Sequence, residues 1–145
     1  MSSKIEQNTE VDSGLVIKTI RPGDATHYPR PPATCRIHYV GKLPDGTIFD
    51  SSRARSRPLL FRLGNEQLIP GLEHGIQMMS IGQISQMILP PHLAYGSTGY
   101  LPVIPPNCTL TYEVELIAFN IEEGEHLPQK EVVADTFPSL TAAGT

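Results

Sequence analysis

TLTYEVELIAF, residues 109–119, alternates with a period of two. Leu110, Tyr112, Val114, Leu116 and Ala118 fall on one face of an extended chain, and Thr109, Thr111, Glu113 and Glu115 on the other. A strand with one apolar and one polar face belongs to an antiparallel sheet that meets a core on one side and water on the other. The same pattern recurs outward from this run. Leu15, Ile17 and Thr19 oppose Val16, Lys18 and Ile20, and Cys35, Ile37 and Tyr39 oppose Thr34, Arg36 and His38. Pro44, Asp45 and Gly46 form a turn that joins 35–43 to 47–50 as a hairpin, and 59–63 and 84–89 supply two more short strands. Only 70–79, PGLEHGIQMM, has a helical period. Pro70 suits the first turn, and Leu72, Ile76 and Met79 recur at i, i+4 and i+7. Gly75 weakens that helix by about 1 kcal/mol relative to alanine, so packing must hold it. The expected fold is α+β: a twisted antiparallel sheet, a half-barrel, wrapped around one short amphipathic helix.

The alternation begins near Gly14 and stops after Phe119, which places the domain at 14–120. Residues 1–13 are polar and without period, the pattern of a flexible leader. Residues 121–145 mix acidic, small and isolated apolar residues and read as a tail, disordered or loosely docked, with at most a short helical patch over 129–135. A chain of 145 residues buries roughly 68–70 % of its unfolded surface, enough for one core without a metal or a disulfide. The net charge of −4, from 11 basic and 15 acidic residues, leaves no electrostatic footprint for nucleic acid or an anionic membrane. Neither a signal-like h-region nor an apolar run near 18 residues is present, so a soluble protein of the cytoplasm, or the nucleus, is expected. Cys35 and Cys108 lack CxxC spacing and sit in or beside strands, as buried free thiols do in a reducing compartment.

Most catalytic chemistries find no residues here. The five histidines are scattered, with no serine or cysteine nucleophile motif, no HExxH, no Cys/His cluster, no calcium-type carboxylate loop and no GxGxxG. No metal or cofactor is expected. What remains is a set of apolar and phenolic residues near strand ends and loops: Tyr39, Phe49, Leu68, Ile69, Leu72, Tyr95, Tyr100, Ile104 and Tyr112, with one acid, Asp50. Each alone reads equally well as core. As a group they point to a pocket, because Tyr95 and Tyr100 stand in 95–106, YGSTGYLPVIPP, whose glycines and prolines forbid regular structure while its side chains are greasy.

Four segments carry a resemblance: IHYVGKLPDGTIFDSSRARSRPLLFRLG (37–64), QLIPGLEHGIQMMSIGQ (67–83), PPHLAYGSTGYLPVIPPN (90–107) and LTYEVELIAF (110–119). Together they closely resemble the FK506-binding family of peptidyl-prolyl cis-trans isomerases, from about Gly14 to Phe119. The resemblance implies that Tyr39, Phe49 and Asp50 line one pocket wall, that Leu68 and Ile69 sit at its rim and that Gln67 is among the ligand-binding residues. It also implies that the Ile69 N–H and the Tyr95 hydroxyl donate to ligand carbonyls, and that Val103 and Ile104 form the tip of a flap, with Tyr100 where the family often has histidine. Tyr39, Asp50 and Tyr95 are the implied catalytic residues. Leu72 stands where the family usually has tryptophan at the pocket floor, Leu59 where it has phenylalanine, and Tyr112 where a third aromatic is usual. The pocket should therefore be roomier and macrolide affinity lower.

The activity implied is isomerisation of hydrophobic-X-Pro bonds, inhibited by FK506 or rapamycin. The alternative is a docking or chaperone module of the same fold with turnover lost through Leu72 and Leu59. Implied partners are proline-containing peptide or protein clients, the two macrolides and, through a drug complex, calcineurin or a TOR-type kinase. Leu101-Pro102 in the flap, and Leu127-Pro128 and Phe137-Pro138 in the tail, are bonds of the accepted kind and offer a route to self-association.

Overall fold

A computed structural model describes residues 8–10 and 14–120. Its strands are β1 (Asn8–Glu10), β2 (Val16–Arg21), β3 (Thr34–Lys42), β4 (Ile48–Ser51), β5 (Leu59–Arg62), β6 (Ile84–Leu89) and β7 (Leu110–Phe119); its one α-helix is α1 (Pro70–Ile76). All pairings are antiparallel, in the order β1-β2-β6-β7-β3-β4, with β5 also on β3. This is the expected antiparallel sheet with a single short helix. β7 lies near the middle, between β6 and β3, and buries Leu110, Tyr112, Val114 and Leu116 while its alternate residues are only partly covered.

Three details differ from the periodicity. Asn8–Glu10, inside the stretch read as a flexible leader, pairs with β2 through the backbone, from Asn8 opposite Lys18 to Glu10 opposite Val16. A bulge between Thr19 and Arg21 interrupts the pairing of β2 with β6, while Ile20 stays on the outward face, 44 % exposed. The helix stops at Ile76, and Met78 and Met79 continue as turns that donate to the Gly75 and Ile76 carbonyls. The tail beyond Asn120, with its expected helical patch, lies outside the described residues.

α1 begins where Pro70 needs no N–H partner and carries Glu73 in its first turn, favourable toward the helix dipole. Its glycines are there for contact. A Cβ at Gly71 would meet the Leu89 side chain, and one at Gly75 would collide with the Met87 sulfur, so the loss of helix propensity at Gly75 is the condition for laying α1 on β6. Leu72, Ile76 and Met79 are fully buried among Ile37, Phe61, Met87 and Leu116 in one continuous core.

β3 decides where a site can form. β5 and β4 share one edge of it, β5 opposite Thr34–Ile37 and β4 opposite Val40–Lys42. Between them the edge is closed by Ser52 alone, whose N–H donates to the Tyr39 carbonyl (3.0 Å) and whose Oγ accepts the Tyr39 N–H (2.8 Å) and faces His38 Nδ1 (2.7 Å). The chain from 52 to 58 must therefore loop out past Tyr39 before β5 begins. Burial and the Arg53 charge hold the His38 imidazole below its usual range, so it is neutral at pH 7.

Candidate active site

Tyr39, in the middle of β3, points inward and is fully buried. Its hydroxyl donates to Asp50 Oδ2 at 3.0 Å, and the loop after Ser52 delivers Arg55, which donates to Asp50 Oδ1 at 2.8 Å and to the Tyr39 hydroxyl at 2.6 Å. The guanidinium carbon also lies 5.6 Å from the Tyr39 ring centroid. The Asp50 side chain is 1 % exposed and that of Arg55 26 %, so the carboxylate is a buried charge held by Tyr39 and Arg55. Arg55 is missing from the sequence-derived residues. Its signal was present: an arginine five residues after the acid in FDSSRAR.

The rings close around this trio. Tyr112 stands 6.4 Å from Tyr39 and 5.8 Å, edge to face, from Phe49, and Tyr95 lies 5.6 Å from Tyr100. Gly41 is the second residue that periodicity overlooked. It faces Tyr112 across the ladder, and a Cβ there would lie 2.8 Å from Phe49 Cζ and 2.9 Å from Tyr112 Cε2. Only a bare backbone lets those two rings meet. Leu59, Leu68, Ile69, Leu72 and Ile104 belong to the same buried cluster, with Phe49, Tyr95 and Tyr100 packed against it. Leu68 and Ile69, expected at a rim, are 2 % and 0 % exposed. Two residues stand apart. Gln67 gives its side-chain oxygen to the Arg62 N–H (2.7 Å), and Val103 is 43 % exposed at the flap tip beside Leu101, at 68 %.

The flap over 95–107 is a closed loop of its own. Asn107 N–H donates to the Gly96 carbonyl and Gly99 N–H to the Tyr95 carbonyl, while Tyr100 and Ile104 exchange two bonds. Gly99, at φ +69°, has no room for a Cβ against the Ile104 and Pro105 backbone. Ile104 is thereby turned inward and Leu101 and Val103 outward.

Burial pushes the phenols of Tyr39, Tyr95 and Tyr112 well above their usual range, and the Asp50 charge pushes each further; at Tyr39 the Arg55 hydrogen bond opposes that shift. All three remain neutral O–H groups at any physiological pH. Ile69, extended at φ −64°, ψ 153°, places its carbonyl on the Leu72 and Glu73 N–H groups, and its own N–H donates to none of the described residues. Among the described residues no group of three or more His, Cys, Asp or Glu is placed to hold a metal.

Residues 26–117 match the family described as FKBP-type peptidyl-prolyl cis-trans isomerase. The chain belongs to that family. The FKBP fold here also superposes on the crystal structure of FkpA from Escherichia coli, with a TM-score of 0.72 and 36 % identity over 81 % of this chain. The match covers 54 % of FkpA, so this chain spans about half of that protein's length. In this FKBP domain Leu72 and Leu59 are both buried.

Proposed function

We propose that this domain isomerises hydrophobic-X-Pro bonds by non-covalent means, with Tyr39, Asp50 and Tyr95 acting on the substrate amide. Support comes chiefly from one observation: a hydrogen-bonded Asp50–Arg55–Tyr39 trio meets a buried cluster of rings and aliphatic chains that includes Ile69. A prolyl amide resists rotation by about 18–20 kcal/mol because of C–N resonance, and no bond need break to cross that barrier. The planar amide is the more charge-separated and the better hydrated. An apolar cavity thus withdraws more solvation from it than from the twisted form, and binding that favours the twisted form lowers the barrier. A gain of 10⁴–10⁵, about 5.5–7 kcal/mol, is the scale needed. The Ile69 N–H and the Tyr95 hydroxyl would hold the flanking carbonyls, and Asp50, tied by Arg55 and Tyr39, would present fixed negative charge to the rotating amide instead of acting as a base.

The test is a protease-free isomerisation assay on Leu-Pro and Phe-Pro peptides; a rate equal to buffer alone refutes the proposal. With no proton transfer and three phenols held neutral, kcat/KM should vary by less than about twofold between roughly pH 6 and 9. A bell-shaped profile in that window would point to acid–base chemistry.

FK506 and rapamycin are the proposed inhibitors, and calcineurin or a TOR-type kinase the partners of the drug complex. Leu72 lies fully buried at the start of α1. Leu72→Trp, which restores a flat ring to the floor, should raise FK506 affinity by about tenfold in an NMR or calorimetric titration. Unchanged affinity would show that Leu72 does not floor the pocket. Clients with bulky residues before proline suit the exposed Leu101 and Val103. A reducing compartment such as the cytoplasm is supported by two buried free thiols, Cys35 being pushed up to about 12 by burial. The tail dipeptides proposed for self-association lie outside the described residues.

A further inference from the structure

We infer that Glu73 is a positioning residue for the Ile69 amide: it grips both ends of the 64–69 segment and so sets where that N–H points, an inference that rests on the isomerase reading of the site. The Glu73 N–H donates to the Ile69 carbonyl at 3.2 Å, and its Oε1 accepts the Gly64 N–H at 3.1 Å. Gln67 fastens the same loop to β5 through the Arg62 N–H. Gly64 itself is held at φ +92°, with its open side 3.0 Å from the Pro31 side chain as measured to an added Cβ. The segment is therefore short, fixed at each end, and leads directly into the residue expected to meet substrate.

Stability does not account for Glu73. Its Oε2 is buried and has no hydrogen-bond partner among the described residues. Burial raises the carboxyl above its usual range, opposed by the Gly64 N–H; Glu66 raises it further, His74 lowers it, and Cys35 feels its charge. A group whose folded pKa is raised destabilises the fold once pH climbs past the unfolded value, so the ionised form of Glu73 is a cost to the fold. An apolar side chain of the same length would remove that cost while losing the Gly64 bond.

Glu73→Met should accordingly be as stable as wild type or more so at pH 7, yet show KM on a Leu-Pro peptide raised by about five- to tenfold with kcat within about twofold. Its Ile69 amide resonance should move in the ligand-free protein. Glu73→Gln keeps an acceptor for Gly64 but not the charge: it should bring KM back toward wild type, with its Ile69 amide matching that of wild type with Glu73 protonated. In wild type, the Ile69 amide shift should titrate in step with the Glu73 carboxyl, a measurement that needs no variant to fold. An Ile69 amide indifferent to Glu73→Met or to that titration overturns the inference. If wild type has no turnover, the isomerase reading fails, and the ligand-free Ile69 shifts still decide the positioning role.

Discussion

Asp50→Leu is expected to lower kcat/KM by about 30- to 100-fold, because it removes a buried charge that two donors hold in place. Tyr39 loses the acceptor that fixes its hydroxyl at 3.0 Å, and Arg55 loses the carboxylate that draws it over the ring. Taking the carboxylate away from a part-buried guanidinium should also cost about 1–3 kcal/mol of stability, moderated because Arg55 is able to turn toward water. The double variant Asp50→Leu/Arg55→Leu separates the two effects. Removing both partners should recover most of the stability and none of the turnover, as read by denaturant unfolding beside the peptide assay. Recovery of both would show that the acid acts only through the fold.

Gly41→Val should be at least as severe for stability, for a reason unrelated to charge. Valine favours strands, so propensity alone predicts a gain. The added Cβ instead lies under 3 Å from both Phe49 and Tyr112, rings that already meet edge to face at 5.8 Å. One of them must leave. Overpacking on this scale costs about 2–3 kcal/mol, a fall in melting temperature of about 10–20 °C, with kcat/KM down at least about tenfold in the protein that remains folded. Gly41→Ala should show the same signs at smaller amplitude. A Gly41→Val variant that melts at the wild-type temperature would mean the rings are loosely held.

These two variants mark where the chain's pattern is informative and where it is silent. Alternation in 109–119 reports burial of side chains, and that strand lies where its apolar face requires. A glycine such as Gly41 carries no hydrophobic signal, although the free space above it lets two rings meet. Asn8–Glu10 joins the sheet by backbone pairing, which leaves no period to read in three residues. Arg55 and Ser52 follow from the shared edge of β3: once β4 and β5 both pair there, the loop between them has to cross Tyr39. That is topology, visible only when long-range partners are known. Phe49, Asp50, Tyr95, Tyr100 and Tyr112 were legible as a set because rings and an acid sit at element ends. Gln67, implied for the site by the resemblance, has its side chain on the Arg62 N–H of β5.

The flap's bonds are almost all internal, from Asn107–Gly96 at its neck to Tyr100–Ile104 near its tip. Its outward residues, Leu101 and Val103, touch little of the body beneath. Under the proposed function, that tip can be exchanged as an interchangeable cartridge, retuning which clients are admitted while Asp50 and its bonds stay as they are.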